Sequence, residues 1–168
     1  MNRRLLFLGF AVTAILIAAI SLNVGMTNAQ GNGITALATG SGQFTSGGEL
    51  RTFSFTAQRD SSNNSSGQAE LFSRASGVRI HMQLDCLHVA GNVATMSGKV
   101  TEASATASGF IGDPVWFRVV DNGEGAGAPP DLISRVAIFV TGPPGVPCTD
   151  GTVLPANIPI EEGNITVH

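Results

Sequence analysis

The chain has 168 residues, a formal net charge of −3 and two cysteines. Nine basic residues stand against twelve acidic ones, and after the N-terminus the basic residues are scattered singly. This distribution argues against a nucleic-acid partner, because phosphate binding needs clustered positive charge. Beyond residue 30 the chain is rich in Gly, Ser, Thr, Ala and Val and shows no helical periodicity. The composition therefore predicts an all-β protein.

The first 29 residues have the order of a secretory signal peptide. Arg3 and Arg4 precede an uncharged apolar run over 5–20, and Thr27-Asn28-Ala29 offers small residues for cleavage. The run is shorter than the roughly 20 residues of a membrane span. We expect cleavage after Ala29, a secreted or extracytoplasmic location and no membrane association afterwards. An uncleaved anchor is the alternative.

Residues 30–168 have the length of one β-rich domain. Both cysteines, Cys86 and Cys148, fall in this part, and an exported chain with an even cysteine count normally oxidises them. We expect a structural disulfide that closes a loop of about 60 residues. A reactive or metal-binding role for Cys86 is less favoured, because no second cysteine or close Cys/His cluster accompanies it.

Alternating or continuously apolar residues, separated by Gly, Pro or Asn, predict eight strands. They are 34–44, 50–57, 68–74, 78–89, 93–101, 115–120, 132–140 and 164–168. The segment 59–67 is predicted as a polar loop, and 101–112 as a crossing loop. The strand 115–120 is apolar on both faces, which indicates burial on both sides. We expect an antiparallel β-sandwich or flattened barrel of about eight strands.

The fourth strand loses its alternation at Cys86. Val78 to Cys86 alternate regularly, yet Leu87 and Val89 are apolar in the opposite phase, just before a Gly91-Asn92 turn. A β-bulge at Cys86-Leu87 would pair Leu84 with Gly98 and keep one apolar face on both strands. The alternative is that pairing ends at Asp85.

Five short motifs follow one another along residues 30–168. In chain order they are Phe53-Ser54-Phe55, Ser66-Gly67-Gln68-Ala69, Asp85-Cys86-Leu87 with Gly91-Asn92 and Ala94, Val120-Asp121-Asn122-Gly123-Glu124, and the terminal Gly163-Asn164-Ile165-Thr166-Val167-His168 within 162–168. This set resembles a broad group of small exported bacterial β domains, the post-COAP-like domains. The resemblance covers nearly all of residues 30–168 and implies an extracellular β domain, without a known catalytic activity.

The segment 121–131 is a candidate calcium site. Asp121, Asn122, Glu124 and Asp131 supply hard oxygen ligands, but their spacing lacks the alternating acids of an EF-hand loop. The simpler interpretation is that Asn122-Gly123 makes a turn and the acids are solvated. No metal is expected at any other place, and we expect no cofactor.

Catalytic equipment is sparse in this sequence. His81 and His88 lie about 20 Å apart along one strand and cannot share a metal ion, and His168 is terminal. No Gly-x-Ser-x-Gly elbow is present. Asp85 and Glu102 on adjacent strands could face each other as glycosidase carboxylates, although solvated strand residues explain them equally well. Only one tryptophan, Trp116, and no tyrosine are available for stacking on sugars.

These observations favour a non-catalytic exported β module that acts in binding or as a structural domain of the cell envelope or extracellular space. A protein or glycan is the expected surface partner. The alternatives are a calcium-dependent binding module that uses the 121–131 loop, or a small extracellular hydrolase with a cleft containing His88 or Asp85.

Overall fold

The computed structural model of the chain describes residues 33–125, 127–138, 148 and 155–168. The predicted signal peptide, its cleavage site after Ala29 and most of the Pro-rich stretch before residue 155 lie outside these ranges. Within them, a short 3₁₀ helix spans Ala105–Phe110 in the predicted crossing loop. The strands are β1 Ile34–Ser46, β2 Glu49–Asp60, β3 Ser65–Ser73, β4 Arg79–Ala90, β5 Val93–Ala103, β6 Pro114–Val120, β7 Leu132–Ile133, β8 Ala137–Ile138, β9 Ile158–Pro159 and β10 Glu162–Val167.

The strands pair antiparallel in one curled sheet, in the order β10-β1-β2-β3-β4-β5-β6-β7-β9, and β8 pairs with β6. The prediction of an all-β, antiparallel fold is confirmed. The strand count was wrong, because the described residues contain ten strands where about eight were expected. These strands form one continuous sheet and do not separate into the two sheets of a sandwich.

Tight turns connect the long strands. Gly47 and Gly48 link β1 to β2 with φ of 64° and 77°, values that residues with a side chain rarely adopt. Gly91 has φ of 60° and Asn92 follows it, which makes the predicted two-residue hairpin between Ala90 and Val93. The loop predicted over 59–67 is shorter than expected, since β2 ends at Asp60 and β3 begins at Ser65. The Asp60 carboxylate accepts hydrogen bonds from the Ser62 and Asn64 N–H groups and makes the turn compact.

The register of the β4–β5 hairpin confirms the predicted bulge. Leu84 pairs with Gly98, and Leu87 pairs with Met96, so both strands keep one apolar face. The register shifts between Leu84 and Cys86, which makes Asp85 the extra residue, one position earlier than expected.

The strand predicted over 132–140 is wrong. The structure has two short strands, β7 and β8, and residues 139 and 140 lie outside the described ranges. Ser134 interrupts the pairing, because its hydroxyl accepts the Arg118 N–H at 2.9 Å and donates to the Arg135 carbonyl at 2.8 Å. A side chain thus occupies the position of a backbone acceptor in the ladder, between the two short strands.

The apolar core lies on the inner face of the curled sheet. Four phenylalanine rings form a chain of contacts through it, with centroids 5.9 Å apart for Phe44 and Phe53, 6.1 Å for Phe53 and Phe55, and 5.7 Å for Phe55 and Phe117. β6 is buried on both faces as predicted, since Phe117 points into this core and Trp116 on the opposite face is 0% exposed. Ile165 of β10 is fully buried too, so the C-terminal motif contributes one side chain to the core.

Candidate functional site

The carboxylates of the 121–131 loop are bonded to backbone N–H groups. Asp131 is 5% exposed and accepts the Asn122 N–H at its Oδ1 and the Ile165 N–H at its Oδ2, both at 2.8 Å. Asp121 accepts the Gly123 N–H at 2.8 Å and the Val167 N–H at 3.0 Å. Each of the four carboxylate oxygens therefore already has a main-chain donor.

This arrangement covers the free edge of β10. One edge of that strand pairs with β1, while Ile165 and Val167 on the other edge donate to Asp131 and Asp121. The two carboxylates therefore occupy donors that an added strand would otherwise use. Asp121 belongs to the Val120–Glu124 motif and Val167 to the terminal motif, so these two motifs of the resemblance meet in space.

The other proposed calcium ligands are arranged differently. Asn122 donates through its Nδ2 to the Pro130 carbonyl at 2.7 Å, and Glu124 is exposed. In the described parts of the chain, no group of three or more His, Cys, Asp or Glu side chains is arranged to hold a metal ion. The loop geometry is accounted for by hydrogen bonds to the main chain.

A groove of about 950 Å³ lies on the outer face of the sheet. It crosses the strands from β10 to β5. Its side chains form two rows of cross-strand neighbours. The first row is Thr166, Thr39, Thr56, Gln68 and Gln83, and the second row is Asn164, Ser41, Ser54, Glu70, His81 and Glu102.

Several groove side chains have no hydrogen-bond partner among the described residues. Ser41, Ser54 and Thr56 are exposed, and within the described residues their hydroxyls make no hydrogen bond. Gln83 donates to the Gly67 carbonyl at 2.7 Å, and Asn164 donates to the Thr166 hydroxyl at 3.2 Å. The groove therefore presents unpaired donors and acceptors near its centre and ordered amides at its two ends.

Small inward-facing residues lie directly behind the groove. Ala38, Ala57 and Ala69 fill these positions, together with Gly40 and Gly67. A methyl group built on Gly40 would lie 2.6 Å from the Phe55 ring, so the sheet approaches the core as closely as a glycine permits. Because these inner residues are small, the strands lie closer to the core, which is consistent with the concave outer face.

The ionisable side chains that line the groove lie at one end only. His81 lies between Glu70 and Glu102 in the strand register, and its Nε2 is 3.2 Å from Glu70 Oε2. Glu70 also pairs with Arg79, whose guanidinium lies 4.8 Å from the centre of the Phe72 ring. Glu102 is exposed and has no ion pair with another described residue. The ionisable lining residues are confined to this end, and the rest of the lining is neutral. Lys99 adds a positive charge beside the same end, because it is the β5 neighbour of Gln83 in the register.

The other residues considered for catalysis are not brought together. Asp85 lies four residues beyond His81 on β4, which separates it from the Glu102 position by about 13 Å. His88 pairs with Thr95 on β5, outside the groove, and His168 pairs with Leu37 on the main chain. Among the described residues, no hydroxyl is hydrogen-bonded to a histidine side chain. The predicted pair of facing carboxylates, Asp85 and Glu102, is therefore not formed.

Cys86 and Cys148 form the predicted disulfide, with their Cα atoms 6.0 Å apart. Cys148 is 1% exposed, and on the same outer face Thr95, Ser97 and Trp116 are buried as well. The Arg118 guanidinium lies 5.4 Å from the centre of the Trp116 ring. The outer face of β5 and β6 is therefore buried around the disulfide, and the single tryptophan is not available to stack on a ligand.

Sequence reasoning missed the groove. Alternation in β2 does place Ser54 and Thr56 on the outer face, and the same rule applies to Thr39, Ser41 and Gln68. The alternation pattern could not predict that β10 pairs with β1. This pairing adds Asn164 and Thr166 and completes the two rows. Pairing between distant strands is not encoded in a local pattern.

Within the described residues, no helix is long and apolar enough to cross a lipid bilayer. Comparisons with protein-family models, with curated proteins and with solved structures found no match to this chain.

Proposed function

We propose that this protein is a non-catalytic exported module that binds a polar ligand in the groove on the outer face of its sheet. The observation that carries the proposal is the pair of side-chain rows that cross the strands from β10 to β5. Binding sites in proteins are usually concave and present a few convergent polar groups. The groove combines this shape with hydroxyls, such as those of Ser54 and Thr56, that have no partner among the described residues.

Export is the second part of the proposal. It is supported by the sequence of residues 1–29, which has the order of a signal peptide, and by the Cys86–Cys148 disulfide. Disulfides persist in oxidising compartments and are rare in the cytosol. The resemblance to exported bacterial β domains also supports export.

We also infer that the curled sheet closes into a flattened barrel. The segment 158–167 supports this, because Pro159 pairs with Leu132 of β7 while Ile165 pairs with Gly40 of β1. The Ile160 N–H donates to the Asp131 carbonyl at 3.0 Å, and Asp131 Oδ2 accepts the Ile165 N–H. Closure of this kind would fix the position of β10 and the first end of the groove.

The binding proposal is tested by mapping small polar molecules on the surface by NMR. The oxidised protein, recovered after export from the expressing cell, is titrated with a panel of monosaccharides, amino acids and short peptides. We expect amide shifts to cluster at groove strands for at least one class of probe. Shifts that cluster elsewhere, or no shifts at all, would refute the groove as the binding surface.

Thr56→Trp and Gln58→Trp form a matched pair of variants. Both residues are exposed on the outer face of β2, but Thr56 lines the groove and Gln58 does not. An indole at position 56 fills the centre of the groove, so Thr56→Trp should abolish binding while Gln58→Trp should leave it unchanged. Equal loss in both variants would indicate a general surface effect.

A further inference from the structure

The residues that line the groove favour an uncharged ligand over a polyanion. Over β10, β1 and β2 it offers only neutral hydroxyls and amides, and its ionisable groups are Glu70, His81 and Glu102 at the other end. None of the described lining residues is a lysine or an arginine. The nearest cations lie beside the lining at the same end, where Arg79 is already paired with Glu70 and Lys99 is the β5 neighbour of Gln83. The lining itself offers a polyanion two carboxylates and no permanent positive charge, which disfavours nucleic acids and acidic or sulfated glycans.

The strand pairing beneath the groove also favours a sugar chain over a peptide as the ligand. An extended peptide gains most from unpaired strand edges, to which it adds main-chain hydrogen bonds. β1, β2, β3 and β4 are each paired on both sides beneath the groove, so their main-chain groups are already used. Only side chains remain for recognition, and nearly all of them are hydroxyls and amides.

The spacing of these side chains fits a long polar chain that lies across the strands. Neighbouring strands are about 4.8 Å apart, so the first row, on five strands, is about 19 Å long and the second row, on six strands, is about 24 Å long. A hydroxyl-rich chain along this path meets a hydrogen-bonding side chain at almost every strand. No exposed aromatic ring lines the groove, since the only ring, Phe55, is 5% exposed and points inward. Recognition would therefore depend on many weak hydrogen bonds and on chain length.

We propose that the groove binds an uncharged, hydroxyl-rich oligosaccharide chain that lies across strands β10 to β5. This inference rests on the proposed function, because it names the ligand class of the same groove. The neutral centre around Ser41, Ser54 and Thr56 makes most of the contacts. The acidic end at Glu102 sets the preference against negatively charged sugars.

The test compares neutral and acidic hexasaccharides in the same NMR titration. The neutral probes are maltohexaose, cellohexaose, laminarihexaose and xylohexaose, each with its disaccharide, and the acidic probe is hexagalacturonate. We expect at least one neutral hexamer to shift groove amides, to bind at least tenfold more tightly than its disaccharide, and to bind at least tenfold more tightly than hexagalacturonate. The Ser54→Ala variant should weaken binding about three- to tenfold, as expected for one lost hydrogen bond.

The possible failures are distinguishable. If hexagalacturonate or a peptide shifts the groove amides and no neutral hexamer does, the ligand class is wrong and the groove remains a binding surface. If no probe shifts the groove, both proposals fail. If a neutral hexamer binds but Gln58→Trp removes binding as completely as Thr56→Trp, the chain does not lie in the groove and the inference is overturned.

Discussion

The Asp131 carboxylate accepts the Ile165 N–H at 2.8 Å across 34 residues of sequence. Asp121 makes the equivalent bond to Val167. Side-chain carboxylates therefore take the place of a neighbouring strand along one edge of β10, and they leave the outer face of that strand free to present Asn164 and Thr166 to the groove. The loop that was considered as a calcium site thus holds the first strand of the groove.

Replacement of Asp131 by alanine tests this role. The change leaves the N–H groups of Asn122 and Ile165 without their acceptor, and an unsatisfied buried donor costs about 1–3 kcal/mol. We expect Asp131→Ala to lower the free energy of unfolding by about 2–5 kcal/mol, measured by urea denaturation. Asp131→Asn keeps one acceptor oxygen and should cost less.

Glu124→Ala is the matched control for Asp131→Ala. It removes a carboxylate from the same loop, but Glu124 is exposed and makes no bond to another described residue. Its effect on the unfolding free energy should stay within about 0.5 kcal/mol. Similar losses for Glu124→Ala and Asp131→Ala would mean that the net charge of the loop matters and that the bond to β10 does not.

Calcium should leave the thermal stability unchanged. Ligation by Asp121 and Asp131 would compete with four main-chain N–H groups that now donate to their oxygens. A site filled at a hundred times its dissociation constant would stabilise the protein by about 2.7 kcal/mol, which is a shift of several degrees. Melting of the oxidised protein in excess Ca²⁺ and then in chelator is the measurement. A reversible rise of that size would restore the loop as a calcium site.

The sequence predicted local features better than long-range ones. The Gly91-Asn92 turn and the β4–β5 register follow from neighbouring residues, and both are confirmed. The interruption at Ser134 was missed because it depends on a hydroxyl that meets the Arg118 N–H from another strand. The groove was missed for a similar reason, since its rows join six strands that only the complete topology brings side by side.

Gly98 is a sensitive position because it lies opposite the bulge. A methyl group there would overlap the Gln83 carbonyl oxygen, which belongs to the backbone and cannot rotate away. We expect Gly98→Ala to destabilise the fold by at least about 2 kcal/mol. Gly109→Ala is the control, because nothing lies within 4 Å of the added methyl. If both substitutions have equally small effects in urea denaturation, the strands do not approach closely at the bulge.

The disulfide should supply a large share of the stability. Its cysteines are 62 residues apart, and loop-closure entropy for a loop of this length corresponds to about 4 kcal/mol. We expect reduction, or the double substitution Cys86→Ala and Cys148→Ala, to lower the unfolding free energy by about that amount. The reduced protein and the double variant should agree closely. A loss in the variant without a loss on reduction would point to packing of Cys148, which is 1% exposed.

Glu49 gives the fold a dependence on acid pH. The Ser76 N–H and hydroxyl both donate to Glu49 Oε1 at 2.9 Å, and these bonds, with the nearby Arg51, lower the pKa of the carboxyl below its ordinary value. A lowered pKa in the folded state means that the stabilisation is present above the ordinary pKa and is lost as the pH falls through the lowered one. Glu49→Gln should therefore melt below the wild type at neutral pH.

The difference in melting temperature between Glu49→Gln and the wild type should shrink as the pH falls, because the wild-type carboxyl then becomes neutral as well. Ser76→Ala serves as the matched variant, since it removes the hydroxyl donor and keeps the backbone donor. Its effect should have the same sign and a smaller size. A difference that stays constant with pH would show that Glu49 stabilises the fold through packing. The negative charge that Ser76 contacts would then contribute nothing to stability.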